Sequence, residues 1–315
     1  MNLGEADLQS PAPLIARRMA RQFADNVRSE RKRLDDQEDL EALHDFRVAM
    51  RKLRTWLRAY RPALSDTVSR RLERRLRRIA SATDEIRNVE VRLALIEGIQ
   101  RRARASAAAP EWLERRLKRR MRRASQEFQR VLNSDFDKTA RRLDKALSRY
   151  MASVDTQPES FGLVTVAVLA QHAEALSEAL GQITAIDQRD QMHLARIAAK
   201  RLRYALAPLV SVSPIVSALA TNLASIQEAL GNHRDANLFL ADVLNDERLV
   251  ALSRLLKRRE RAAFALVTAW IGASGRAELA AKSASVGEAI RDSTTRLRKP
   301  GTPPTPTAMP PLAEH

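Results

Sequence analysis

Few conformations are open to the stretch Leu43–Tyr60, LHDFRVAMRKLRTWLRAY. Advanced by about 100° per residue, as on a helix, His44, Arg47, Arg51, Arg54 and Arg58 share roughly 80° of arc. Phe46, Met50, Leu53, Leu57 and Tyr60 make a second stripe centred about 120° away, the face that would bury. Stacking like charges at i,i+4 costs about 0.2–0.5 kcal/mol per pair on an isolated helix. Asp45 is the only acid between His44 and Tyr60, so the segment cannot neutralise its own stripe. Such a helix lies on a core with one face and needs a counter-charge from elsewhere on the other.

The pattern occurs twice. His193-Leu-Ala-Arg196-Ile-Ala-Ala-Lys200-Arg201-Leu202-Arg203 repeats it at an offset of 149, pairing His44 with His193, Arg47 with Arg196, Arg51 with Lys200, Lys52 with Arg201 and Arg54 with Arg203. The shared form is H-x2-R-x3-[RK]-[KR]-L-R, and Arg58 has no counterpart because position 207 is alanine. Further on, Ile226–Leu238 (IQEALGNHRDANL) matches Ile79–Val91 (IASATDEIRNVEV) at an offset of 147, a two-residue loop difference. Duplicated helical units commonly bury equivalent faces against each other, which would turn both basic stripes toward one surface.

No β-branched alternation persists anywhere, and 44% hydrophobic residues with only 4% aromatics suit an all-α chain. Residues 1–13 read as a disordered lead-in ending in Ser10-Pro11-Ala12-Pro13. Helices are expected near 14–34, 43–60, up to Ala80, and 89–108, with a turn at 82–88. Two more follow near 111–132 and 135–151, the second opened by Asp135. The polar stretch Ala152–Ser160 is the best internal boundary. Beyond it, helices are expected near 161–181, 188–210, 215–230, 235–245, 247–272 and 276–297, with Gly231-Asn232-His233 as a turn. Pro300–His315 holds six of the thirteen prolines and reads as part of a disordered tail, 298–315.

The chain has no cysteine, which removes disulfides, thiolate metal sites and a cysteine nucleophile. The N-terminus lacks the apolar core of a secretory signal. The longest weakly polar stretch, Phe161–Ala170, falls short of the ~20 residues that span a bilayer, so a soluble, cytoplasmic protein is expected. The net charge is +17 and lies unevenly: residues 1–157 hold 37 Lys/Arg against 23 Asp/Glu, the remainder 18 against 15. That field attracts polyanions of any kind.

The two H-x2-R-x3-[RK]-[KR]-L-R helices, each followed by its later Arg-[DN] segment, resemble the CHAD family, the conserved histidine α-helical domain. The likeness covers roughly residues 14–290. It implies an all-α domain over 14–297 built from two pseudo-symmetric, four-helix-type bundles, about 14–151 and 161–297, around a basic central groove. It further implies that the groove binds inorganic polyphosphate and that the protein associates with polyphosphate granules and granule-associated proteins. Some members also carry a CYTH-type triphosphatase domain, for which this chain has no room, so it reads as a stand-alone binding module. On the matching positions, ligand contacts are implied for His44, Arg47, Arg51 and Arg54 and for His193, Arg196, Lys200 and Arg203. Lys52, Arg58, Arg87, Arg201 and Arg234 complete the candidate set. Asn88 departs from the family pattern, where an acid is usual, whereas Arg234-Asp235 keeps it.

The chemistry suits that ligand. Polyphosphate offers repeated charge and no bases to read, and helical residues one turn apart rise about 5 Å, forming a ladder it can follow. Arginine adds a planar fork that donates two parallel bonds to phosphate. His44 and His193 fit either phosphate contact or a helix–helix contact. No metal-binding spacing, nucleotide-binding glycine loop or nucleophile–base set is visible, so neither a cofactor nor an enzymatic activity is expected. Nucleic-acid binding is the alternative: the charge guarantees weak binding at low salt, but the aromatic interleaving that single strands stack on is missing. Adhesion through amphipathic helices such as 111–132 is a third reading. The run Arg115–Arg123 surrounds its helix with charge and reads as solvated surface.

Overall fold

The computed structural model describes residues 3–36, 38–39, 41–64, 67–102, 110–148 and 159–296, and all its regular structure there is helical. Twelve α-helices are described: α1 Glu5–Gln9, α2 Ala12–Arg33, α3 Ala42–Ala59, α4 Arg61–Leu64, α5 Arg70–Ser81, α6 Asp84–Arg102, α7 Glu111–Ser148, α8 Phe161–Gly181, α9 Arg189–Leu206, α10 Pro214–Val243, α11 Val250–Trp270 and α12 Arg276–Arg296. Several starts are written locally. Ser69, Ser160 and Ser213 each accept a hydrogen bond from a backbone N–H in the first turn of α5, α8 and α10, and Pro214 begins α10 where its missing N–H costs nothing.

One core runs through both halves of the chain, from Leu3 and Leu8 to Val286 and Ile290. Its aromatic centre joins α3 to α8. The rings of Trp56 and Tyr60 lie 4.2 Å apart and those of Tyr60 and Phe161 5.1 Å apart. The Tyr60 hydroxyl lies 3.0 Å from the Thr165 hydroxyl, and the Trp56 indole donates to the Ala16 carbonyl at 2.9 Å, so neither buried polar tip is unpaired. In the first half α2 packs on α3, and in the second α8 packs on α9; α3 and α9 also meet each other. A second cluster, including Val89, Leu117, Phe239 and Leu256, joins α6 and α7 to α10 and α11.

Four sequence expectations change. The lead-in is ordered from residue 3: Leu3 donates to the Pro208 carbonyl at 2.8 Å, Leu3 and Leu8 are buried, and Ala12 and Phe161 exchange backbone bonds with Glu159 and Ser10. Two apolar anchors outweigh the two prolines. The expected break at Asp135 is absent, because Phe128, Val131, Leu132 and Phe136 continue one buried stripe along a 38-residue α7. Asn, Ser and Asp are weak helix formers, but the cost of each is only about half a kcal/mol. Likewise α10 runs unbroken through Gly231-Asn232-His233, with His233 buried 3.8 Å from Glu260. The turn expected over 82–88 shrinks to Ala82-Thr83, and Asn88 is helical. Most of the 152–160 boundary and the whole 298–315 tail lie outside the described residues.

Helix α8 is long and apolar enough, by length and composition, to cross a membrane. It packs instead between α9 and α12, with Phe161, Thr165, Leu169, Leu176 and Leu180 buried. Gly162 lets α12 and α1 approach: a Cβ there would run into the Thr294 hydroxyl and lie 3.0 Å from the Leu8 carbonyl oxygen. Gly162→Ala is therefore expected to lower stability by about 1–3 kcal/mol, the usual cost of overpacking, measured by denaturant unfolding. An unchanged midpoint would show that α12 is not held this closely.

A candidate anion-binding cleft

Helices α3 and α9 meet below a cleft of about 540 Å³, and α6 and α10 form its other walls. From the first half, α3 presents His44, Arg47 and Arg51, and the first turn of α6 presents Arg87. From the second half, α9 presents Arg196 and Lys200, and α10 presents Arg234. Seven of the thirteen sequence-derived candidates therefore line one space. The amphipathic pattern explains it: the buried faces of α3 and α9 share a core, so their adjoining basic stripes emerge side by side.

The remaining candidates fall into three groups. Arg54 faces a small neighbouring cavity that also touches Arg47 and Arg51. Arg203 and His193 stand behind the cleft as positioning residues. Arg203 donates to the Gln227 side chain at 2.9 Å, and its guanidinium lies 5.0 Å from the centre of the Tyr204 ring. The His193 Nδ1 lies 2.6 Å from Arg234, so a neutral imidazole accepts from the guanidinium. Burial, helped by the Arg234 charge, holds the His193 pKa below its ordinary value, in keeping with that role. Lys52, Arg58 and Arg201 do not line the cleft. Lys52 is exposed, while the Arg58 charge reaches Arg201 and both reach His172 on α8. His44 is exposed at the cleft, so the two repeated histidines occupy different environments.

The acids are placed otherwise than the motif suggested. Arg234 turns to His193 rather than to its neighbour Asp235, and Arg87 pairs with Glu90 at 3.7 Å. Glu90 also reaches Arg47 at 3.6 Å, one carboxylate shared by two guanidiniums. Asp84, Glu228 and Asp235 line the cleft as well. Of these acids only Asp235 was named from the sequence, as the partner in Arg234-Asp235. Glu90, three residues after Arg87 on one helix, was legible as well.

These carboxylates do not balance the site. Burial pulls the Arg47 pKa down to about 10, against the partial support of Glu90. Arg196 is lowered by burial and by Arg234, Arg51 and Arg87, and its Nε is buried with no hydrogen-bond partner. Lys200 is pushed down to about 7 by burial and by the charges of Arg196 and Arg51. Desolvated cations with too few partners are costly to hold. An anion entering the cleft would meet an array of donors already fixed by the fold. Among the described residues no group of His, Asp and Glu has the arrangement of a metal site.

A family model for the CHAD domain matches residues 17–244. Among solved structures, the crystal structure of the CHAD domain from the plant Ricinus communis superposes with a TM-score of 0.61 at 18% identity, covering 92% of this chain and 94% of that one. PptA from Streptomyces chartreusis gives a TM-score of 0.59 at 19% identity, covering 91% and 99%. Both likenesses are to the fold. No curated protein matches the chain.

The lowered Lys200 pKa makes stability depend on pH. The unfolded chain holds this proton up to about 10.5 and the folded chain only to about 7, so the penalty is full below pH 7 and fades as pH rises between those values. Lys200→Met is expected to stabilise the ligand-free protein by roughly 2–4 kcal/mol at pH 6 and by little at pH 10. Denaturant unfolding at both pH values checks this. A gain that is equal at both would mean that Lys200 is well solvated.

Proposed function

The chain belongs to the CHAD domain family, and on that footing we propose that it binds inorganic polyphosphate in the cleft between α3 and α9. The observation that carries the reading is the convergence of Arg47, Arg51 and Arg87 with Arg196, Lys200 and Arg234 on one concave surface. The reading takes the two halves as a duplicated unit, each supplying one basic stripe. Six cations against the three carboxylates Asp84, Glu228 and Asp235 leave an excess for a chain of phosphates to neutralise. Several charge-assisted bonds of about 1.5–3 kcal/mol each would give firm binding.

The protein would then act as a binding module rather than an enzyme, located in the cytoplasm at polyphosphate granules, where it organises the polymer or recruits granule-associated proteins. Nucleic acid fits the cleft less well. Apart from His44 no aromatic ring lines it among the described residues, so single-stranded bases have no stacking platform. The exposed basic residues along the start of α7 suit weak, salt-sensitive contacts with duplex DNA instead.

Competition between long-chain polyphosphate and duplex DNA at physiological salt tests the reading. Polyphosphate is expected to win clearly. Arg51→Glu should weaken it by about 10–100-fold, as loss of one or more charge-assisted bonds requires, while Arg119→Glu on the exposed face of α7 should change it little. Equal competition by DNA, or equal losses in the two variants, would refute a defined polyphosphate site.

A further inference from the structure

A second cavity of about 200 Å³ adjoins the cleft, and the two share Arg87, Val91, Asn232 and Asp235 as common walls. The chemistry changes across that boundary. The main cleft has a lining that is mostly polar or charged, with cations outnumbering carboxylates. The annex has an aliphatic side formed by Val91, Ala94 and Leu95, and the exposed Arg259 of α11 stands at its edge.

A bare phosphate chain could use only part of this annex, the part that Arg87 and Arg259 line. Aliphatic carbon offers its oxygens no donor, and Asp235 repels it. Among the described residues no ion pair ties Asp235 down, although its charge is felt by Arg196 and Lys200. An acceptor-only carboxylate suits a ligand that brings donors, and vicinal hydroxyls are such donors. Aliphatic side chains and a guanidinium plane suit the two faces of a heteroaromatic ring. Asn232 carries both a donor and an acceptor for the edge of such a ring.

We propose that cleft and annex together take a purine nucleoside polyphosphate: phosphates among Arg47, Arg51 and Lys200, nucleoside in the annex, ribose hydroxyls on Asp235 and base beside Arg259. The proposal rests on the phosphate reading of the cleft and adds a nucleoside subsite to it. The nucleotide would compete with the end of a polyphosphate chain for the same cations.

The probes are ATP and inorganic tripolyphosphate, measured by calorimetry on the full chain at physiological salt, with long-chain polyphosphate as the reference. The wild-type protein is expected to bind ATP about tenfold more tightly than tripolyphosphate, the size of one good cation–π stack. Arg259→Ala, and Ala94→Trp, which fills the annex from an exposed helix position, should each bring ATP down to the level of tripolyphosphate and leave tripolyphosphate unchanged. Asp235→Asn should strengthen tripolyphosphate, by removing a repelling charge, and narrow or reverse the preference for ATP. If long-chain polyphosphate binds but ATP binds no better than tripolyphosphate, or if the annex variants weaken both probes alike, the nucleoside subsite is wrong and the polyphosphate reading stands. If long-chain polyphosphate itself fails to bind, the phosphate reading falls and the subsite falls with it.

Discussion

Arg51, Arg196 and Lys200 repel one another across the junction of α3 and α9, and their backbones cannot move apart. Apolar contacts on the opposite faces fix them: Phe46, Met50, Leu53 and Leu57 on α3, and Met192, Ala195, Ala199 and Leu202 on α9, are all buried. Burying one of the larger of these side chains stabilises by about 1.5–3 kcal/mol, enough in sum to hold a crowded cationic surface in place. The crowding costs stability in the empty protein and becomes an advantage when an anion enters. Donors that are already fixed lose little further entropy on binding.

The polar neighbours leave most of that charge in place. Glu90 takes up part of the charge of Arg47 and Arg87 from outside the cleft lining, so neither guanidinium is capped by a carboxylate within it. His193 and Gln227 hold Arg234 and Arg203 through hydrogen bonds that do not require a charge on the partner. The Arg51 guanidinium donates to the Tyr204 hydroxyl at 3.1 Å. Each such contact orients an arginine without neutralising it.

Much of this was legible in the sequence, for a definable reason. The doubled H-x2-R-x3-[RK]-[KR]-L-R pattern records spacing on a helix, and spacing fixes which side chains share a face. That is why Arg47, Arg51, Arg196 and Lys200 could be grouped before any coordinates. Crossing geometry is not recorded in that way. Arg58 continues the stripe of Arg51 two turns on, yet it lies outside the cleft lining, where its charge acts on Arg201 and His172. Helix continuity was also hidden. Asp135 and the Gly231-Asn232-His233 segment carry turn chemistry, but buried neighbours on both sides hold α7 and α10 straight through them. The Leu3 and Leu8 anchors were missed because two leucines in a polar lead-in make no periodic signal.

A structure determined with a short inorganic polyphosphate bound tests the central claim most directly. The expected result is phosphate density between α3 and α9, with oxygens in hydrogen-bond contact with Arg47, Arg51, Arg196 and Lys200 from both halves of the chain. Phosphate found only on the exposed basic face of α7, with the cleft unoccupied, would contradict it.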